Sequence, residues 1–139
     1  MSLSALLQTH SGTVLVVDDE GDVRDLVCRM LWSGGYRTLE ARAGAEALHL
    51  VELSEQHLAL VITDIVMPGI DGRELGRQLA ARWPQLPVLY ISGYHTEDIF
   101  SRGSPGASAH FLSKPFSEEQ LLATVQAIVA PSKRGAAGG

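Results

Sequence analysis

Thr13-Val14-Leu15-Val16-Val17-Asp18 is a β-branched apolar run that ends in acid. Strands buried on both faces of a parallel sheet read this way, whereas half-exposed strands alternate. Val23, Leu26, Val27, Met30 and Leu31 follow at i, i+3, i+4, i+7 and i+8. That spacing marks one face of a helix, which Gly34-Gly35 stops. Tyr36–Ala41 reads as a short second strand, Ala43–Glu55 as a second helix, and Leu58–Asp64 repeats the first strand pattern, again ending in acid. After the turn Met67-Pro68-Gly69, Asp71 and Glu74 form a capping box for a third helix that carries Leu75 and Leu79 and ends at Trp83, before Pro84.

Pro87–Ser92 gives a fourth strand, His95–Arg102 a brief helix cut short by Gly103-Ser104-Pro105-Gly106, and Ala109–Leu112 a fifth strand. Ser117 and Gln120 cap a last helix with Leu121, Leu122, Val125, Ile128 and Val129 on its inner face. The expected division is an N-terminal extension over 1–12, one domain over 13–130 and a disordered tail over 131–139.

Strict alternation of strand and helix with apolar strands predicts an α/β fold: a parallel sheet covered by helices on both faces. Five units are too few for an eight-stranded barrel, so the sheet is open and doubly wound. Sites in such sheets lie at the carboxyl ends of the strands. Asp18, Asp19, Asp64, Ser92 and Lys114 all stand at or just past such an end.

Composition narrows the function. The chain has 139 residues, 45% of them hydrophobic, which suits one domain with one continuous core. A net charge of -5 repels polyanions, and the one basic cluster, Lys133-Arg134, falls in the tail, so nucleic-acid binding is not expected. Cys28 is the sole cysteine, which rules out an internal disulfide or a multi-thiolate metal site. No apolar run approaches the ~18 residues of a membrane span, and the start lacks a signal-peptide pattern. A cytoplasmic setting without membrane insertion is expected.

Three carboxylates converging on one crevice repel each other, by roughly 4 kcal/mol per pair at about 4 Å and a surface-like dielectric. They are stable together only with protons or a cation between them. An all-oxygen set without His or Cys favours magnesium (Mg2+) over zinc. The Asp64 carboxylate, projecting into the crevice, suits nucleophilic attack on a phosphoryl group. Such a transfer needs mainly positioning and charge neutralisation. Lys114 would supply a mobile point charge, and Ser92 a hydroxyl donor to the same oxygens.

Asp18-Asp19, then Asp64-Ile65-Val66-Met67-Pro68-Gly69-Ile70-Asp71-Gly72, then Ser92-Gly93, then Lys114-Pro115-Phe116 resembles the receiver domains of two-component response regulators over about Thr13–Val129. The resemblance implies a flavodoxin-like sheet in strand order 2-1-3-4-5. It implies that Asp64 accepts phosphate from the phosphohistidine of a histidine kinase or histidine phosphotransfer protein. It further implies that Asp18, Asp19, Asp64 and the Val66 backbone carbonyl surround magnesium, and that Ser92 and Lys114 contact the phosphate. Ser92 and Phe111 fall at the family's switch positions. Asp71-Gly72-Arg73-Glu74-Leu75 and Ser92-Gly93-Tyr94 are similar to receivers of hybrid sensor kinases. Such a domain is a phosphoacceptor rather than an enzyme, and the output partner is not encoded here.

Each residue also has a plainer reading. Asp18-Asp19 alone would serve as a helix cap, Lys114 as a surface lysine, Phe111 as core, and Trp32 and Trp83 as packing residues. The histidines (His10, His49, His57, His95, His110) show no ligand spacing. Two other functions fit the fold. A magnesium phosphohydrolase would need a further acid/base residue and a substrate cap. A flavin module would need a phosphate-binding loop where Asp18-Asp19-Glu20-Gly21-Asp22 stands.

Overall fold

The computed structural model describes residues 12–54, 57–93 and 109–129. The expected extension before Gly12, the brief helix His95–Arg102 and the tail after Val129 lie outside these residues. The elements run β1 (Thr13–Val17), α1 (Gly21–Ser33), β2 (Arg37–Ala41), α2 (Gly44–Ser54), β3 (Leu58–Asp64), α3 (Gly72–Arg82), β4 (Val88–Ser92), β5 (Ala109–Ser113) and α4 (Glu118–Val129). All strand pairs are parallel and the sheet order is β2-β1-β3-β4-β5.

Because side chains alternate across a strand, each apolar run feeds two cores. Leu15, Val17, Val61, Val88 and Tyr90 pack on one face against Ala47 and Val51 of α2 and Leu75 and Leu79 of α3. Val14, Val16, Leu60, Ile62, Leu89 and Ile91 pack on the other against Val27, Cys28 and Leu31 of α1 and Leu121, Val125 and Ile128 of α4. This double burial explains why β1, β3 and β4 read as continuous apolar stretches.

Local chemistry sets the helix ends. Asp71 caps α3, its carboxylate accepting from the Glu74 N–H at 2.9 Å. The Glu74 carboxylate, which a full capping box would turn back to Asp71, instead accepts from Arg77 and Gln78. At α4 the reciprocal box is complete: Ser117 N–H donates to Gln120 Oε1 at 2.8 Å and Gln120 N–H donates to Ser117 Oγ at 3.1 Å. The plainer reading of Asp18-Asp19 as the cap of α1 does not hold, since Glu20 occupies that position. Trp32 is 52% exposed, its indole N–H donating to Thr38 Oγ1 at 2.8 Å, so it is not the packing residue expected.

Candidate functional site

The order in which strands are added reverses between the parallel neighbours β1 and β3: β2 lies beyond one, β4 and β5 beyond the other. A crevice opens at this switch point, above the carboxyl ends of the strands. The structure brings Asp18 and Asp19, just past β1, to Asp64 at the end of β3. One carboxylate oxygen from each lies within 4.8 Å of the others. Asp18 is 5% exposed and Asp64 9%, while Asp19 faces solvent.

Hydrogen bonds hold this edge of the sheet. The Asp18 N–H donates to the Ala41 carbonyl at 3.1 Å and Asp18 Oδ1 accepts from the Glu20 N–H at 2.9 Å. Arg24 reaches back from α1 to donate to the Asp18 carbonyl at 2.8 Å. Burial raises the Asp18 pKa above its ordinary value; the Glu20 N–H opposes that rise and the Asp64 charge adds to it. A buried carboxyl that resists ionisation beside two more acids is a site whose chemistry calls for a cation. An oxygen-only set of this kind fits magnesium, with Asp18, Asp19 and Asp64 as the residues that would hold it. Val66, two residues past Asp64, has its side chain 72% exposed.

The backbone beneath Asp64 depends on two residues that the sequence did not single out. Thr63 is fully buried and its hydroxyl donates to the Asp64 carbonyl at 2.9 Å. Gly72 donates its N–H to the Ile65 carbonyl at 2.7 Å, and a Cβ there would sit 2.2 Å from the Asp64 carbonyl oxygen. Only glycine lets α3 start this close to β3. The signals were present, in a threonine directly before the strand-end acid and a glycine at the first position of the helix, but neither predicts a contact.

Lys114 follows β5, two strands from β3 and so about 10 Å away at the usual spacing. Its long side chain spans β4 and places Nζ 3.6 Å from Asp64 Oδ2. Ser92 ends β4 in register with Ser113, and its side chain lies outside the described residues. Phe111 is 44% exposed and stacks on Tyr90, its register partner, with ring centroids 5.3 Å apart. Tyr90 is buried, and burial pushes its hydroxyl up to about 12. A groove of about 520 Å3 lined by Leu58, Ala59, Trp83 and Pro87 opens at the opposite end of the sheet, away from the carboxylates.

Comparison with known proteins covers nearly all of the described chain. The family model for the response regulator receiver domain matches residues 14–126. The sensor kinase CckA of Brucella abortus is 44% identical over 117 residues, 84% of this chain and 12% of that protein. The response regulator MprA of Mycobacterium ulcerans is 36% identical over 120 residues, 86% of this chain and 51% of that protein. The chain thus spans about half of the one relative and an eighth of the other. A crystal structure of the receiver domain from the hybrid histidine kinase CckA superposes with a TM-score of 0.71 at 36% identity, covering 85% of this chain and 99% of that one.

Proposed function

Since the chain belongs to the response regulator receiver domain family, whose function is phosphotransfer to an aspartate in two-component signalling, we propose that Asp64 is its phosphoacceptor and that Asp18, Asp19, Asp64 and the Val66 carbonyl hold magnesium beside it. The observation that carries this reading is the meeting of three carboxylates within 4.8 Å, with the Lys114 ammonium 3.6 Å from Asp64. Magnesium, when bound, neutralises the phosphoryl oxygens.

The chain's own residues do the rest. An Asp64 oxygen attacks phosphorus; the new O–P bond forms as the N–P bond of a partner's phosphohistidine breaks, and the imidazole leaves with the electron pair and takes up a proton. Lys114 holds a positive charge near the incoming oxygens, and Ser92 offers its hydroxyl from the end of β4. Thr63 and Gly72 hold the main chain at Asp64 and Ile65 in advance, so the backbone under the acceptor needs little reorganisation.

The domain acts as an acceptor and turns over only its own acyl phosphate. Its donor is a histidine kinase or a histidine phosphotransfer protein, in the cytoplasm, where ATP-fed kinases and magnesium are at hand. The added group brings roughly -1.5 to -2 charge, which draws Lys114 and Ser92 and shifts Phe111 to alert an output partner. Intact mass after incubation with magnesium and acetyl phosphate tests the core of this reading. One phosphoryl adduct is expected on the wild type and none on Asp64→Asn; an undiminished adduct on the variant would move the acceptor elsewhere.

A further inference from the structure

Arg24 stands in the first turns of α1, outside the set of carboxylates, with its side chain 15% exposed. Its guanidinium makes two directed bonds. One terminal nitrogen donates to the Asp18 carbonyl at 2.8 Å, and Nε donates to Glu40 Oε1 at 3.0 Å. Glu40 lies on β2, one residue before Ala41, whose carbonyl takes the Asp18 N–H. Both polar groups of the Asp18 main chain are therefore tied, one by the neighbouring strand and one by Arg24. The Arg24 N–H also donates to the Glu20 carbonyl at 3.0 Å, within the same short connection.

This grip sits where the chain most needs one. Residues 18–20 have left β1 and have not yet entered α1. They carry two of the three carboxylates, and mutual repulsion would splay them. A planar fork that bonds an acid on one side and a carbonyl on the other sets a direction as well as a charge, which a lysine ammonium cannot do from a single atom.

We propose that Arg24 is a positioning residue for the metal site, holding Asp18 and Asp19 in their ligating arrangement while Glu40 sets the orientation of its guanidinium. The inference rests on the magnesium reading above. It differs from a role in fold stability alone, because the loss should fall on metal affinity rather than only on melting.

The test titrates the full chain with Mn2+ without phosphodonor, following free Mn2+ by electron paramagnetic resonance. Melting in chelator is measured beside it for wild type, Arg24→Ala, Arg24→Lys and Asp19→Ala. Partners that orient metal ligands typically contribute 10–100-fold to affinity, so Arg24→Ala should bind Mn2+ about tenfold more weakly or worse, and Arg24→Lys should fall between. Acetyl phosphate labelling of Arg24→Ala at saturating magnesium should return close to the wild-type plateau, which places the defect in affinity. Arg24→Ala binding within about twofold of wild type, with only its melting temperature lowered, would overturn the proposal, since outer partners of ligands carry more than that. Should Arg24→Ala not fold, Arg24→Lys decides, and wild-type affinity there overturns it equally. A wild type that binds no Mn2+, or an Asp19→Ala that binds as tightly, would instead remove the metal site itself and the inference with it.

Discussion

Replacing Asp18 by Asn removes one charge from the carboxylate cluster and keeps an oxygen where the Glu20 N–H donates. Its two acidic neighbours have oxygens within 4.8 Å. A pair of like charges at that distance costs about 0.9 kcal/mol in bulk water and about 3.5 kcal/mol at a dielectric of 20. Asp18 is nearly buried and Asp19 is exposed, so the working value lies between these limits, and the Glu20 N–H and Lys114 offset part of it. The net gain for metal-free Asp18→Asn is about 1–3 kcal/mol. At about 4 °C per kcal/mol for a domain of this size, the melting temperature should rise by about 4–12 °C. The sign follows from the Asp18 pKa, which lies above its ordinary 3.8. The ionised group costs the metal-free fold stability at neutral pH, and that cost disappears as pH falls through the raised pKa. Magnesium far above its Kd should reverse the ranking, because a ligand at about 1,000 times its Kd adds about 4.1 kcal/mol to a fold that binds it and the variant would have lost a ligand. Differential scanning fluorimetry in chelator and across a magnesium series would show the two melting curves crossing. A variant that melts at or below wild type in chelator, or that gains as much from magnesium, would refute the reasoning.

Lys114→Ala should still accept a phosphoryl group by intact mass, yet its backbone amide spectrum with beryllofluoride should stay close to that of the unmodified protein; a full wild-type response would remove the role given to Lys114. Gly76→Ala places a Cβ 1.6 Å from the Tyr90 hydroxyl oxygen, so overpacking should cost about 1–3 kcal/mol in urea unfolding, and Tyr90→Leu in the same chain should recover most of it. Burial lowers the His110 pKa, so the unfolded chain takes this proton near the usual value of about 6.5 while the fold resists it until lower pH. Stability should therefore fall as pH drops below about 6.5, and His110→Gln should show a shallower decline in parallel denaturation series.

Periodicity in the sequence located β1, β3, α3 and α4 to within a residue or two, because two-sided burial and four-residue capping patterns are local and strong. The edge strands were placed as closely: β2 begins at Arg37 rather than Tyr36, and β5 runs on to Ser113 rather than Leu112. The rule that sites gather at the carboxyl ends of parallel strands was enough to bring Asp18, Asp19, Asp64 and Lys114 together. It did not reveal Arg24, whose partners are a main-chain carbonyl and a glutamate sixteen residues away. No motif encodes a bond to a carbonyl. Gly72 and Gly76 were unreadable for a similar reason, since a missing side chain signals close approach only once the neighbour is known. The Tyr90–Phe111 stack needed the β4–β5 register, which periodicity leaves open.

The glycine at the start of α3 has a consequence for who chooses the donor. With α3 seated against the main chain of Asp64 and Ile65, the backbone under the proposed acceptor is held in place before any kinase or small phosphodonor arrives. If Asp64 is the acceptor, any compound able to present phosphorus to the crevice would meet the same carboxylate, and the crevice itself would do little to tell donors apart. Discrimination must then be written on the surrounding helices and loops. Transplanting the strand-end residues into another sheet, with Gly72 and Thr63 among them, would carry the capacity to be phosphorylated and leave the choice of signalling partner behind.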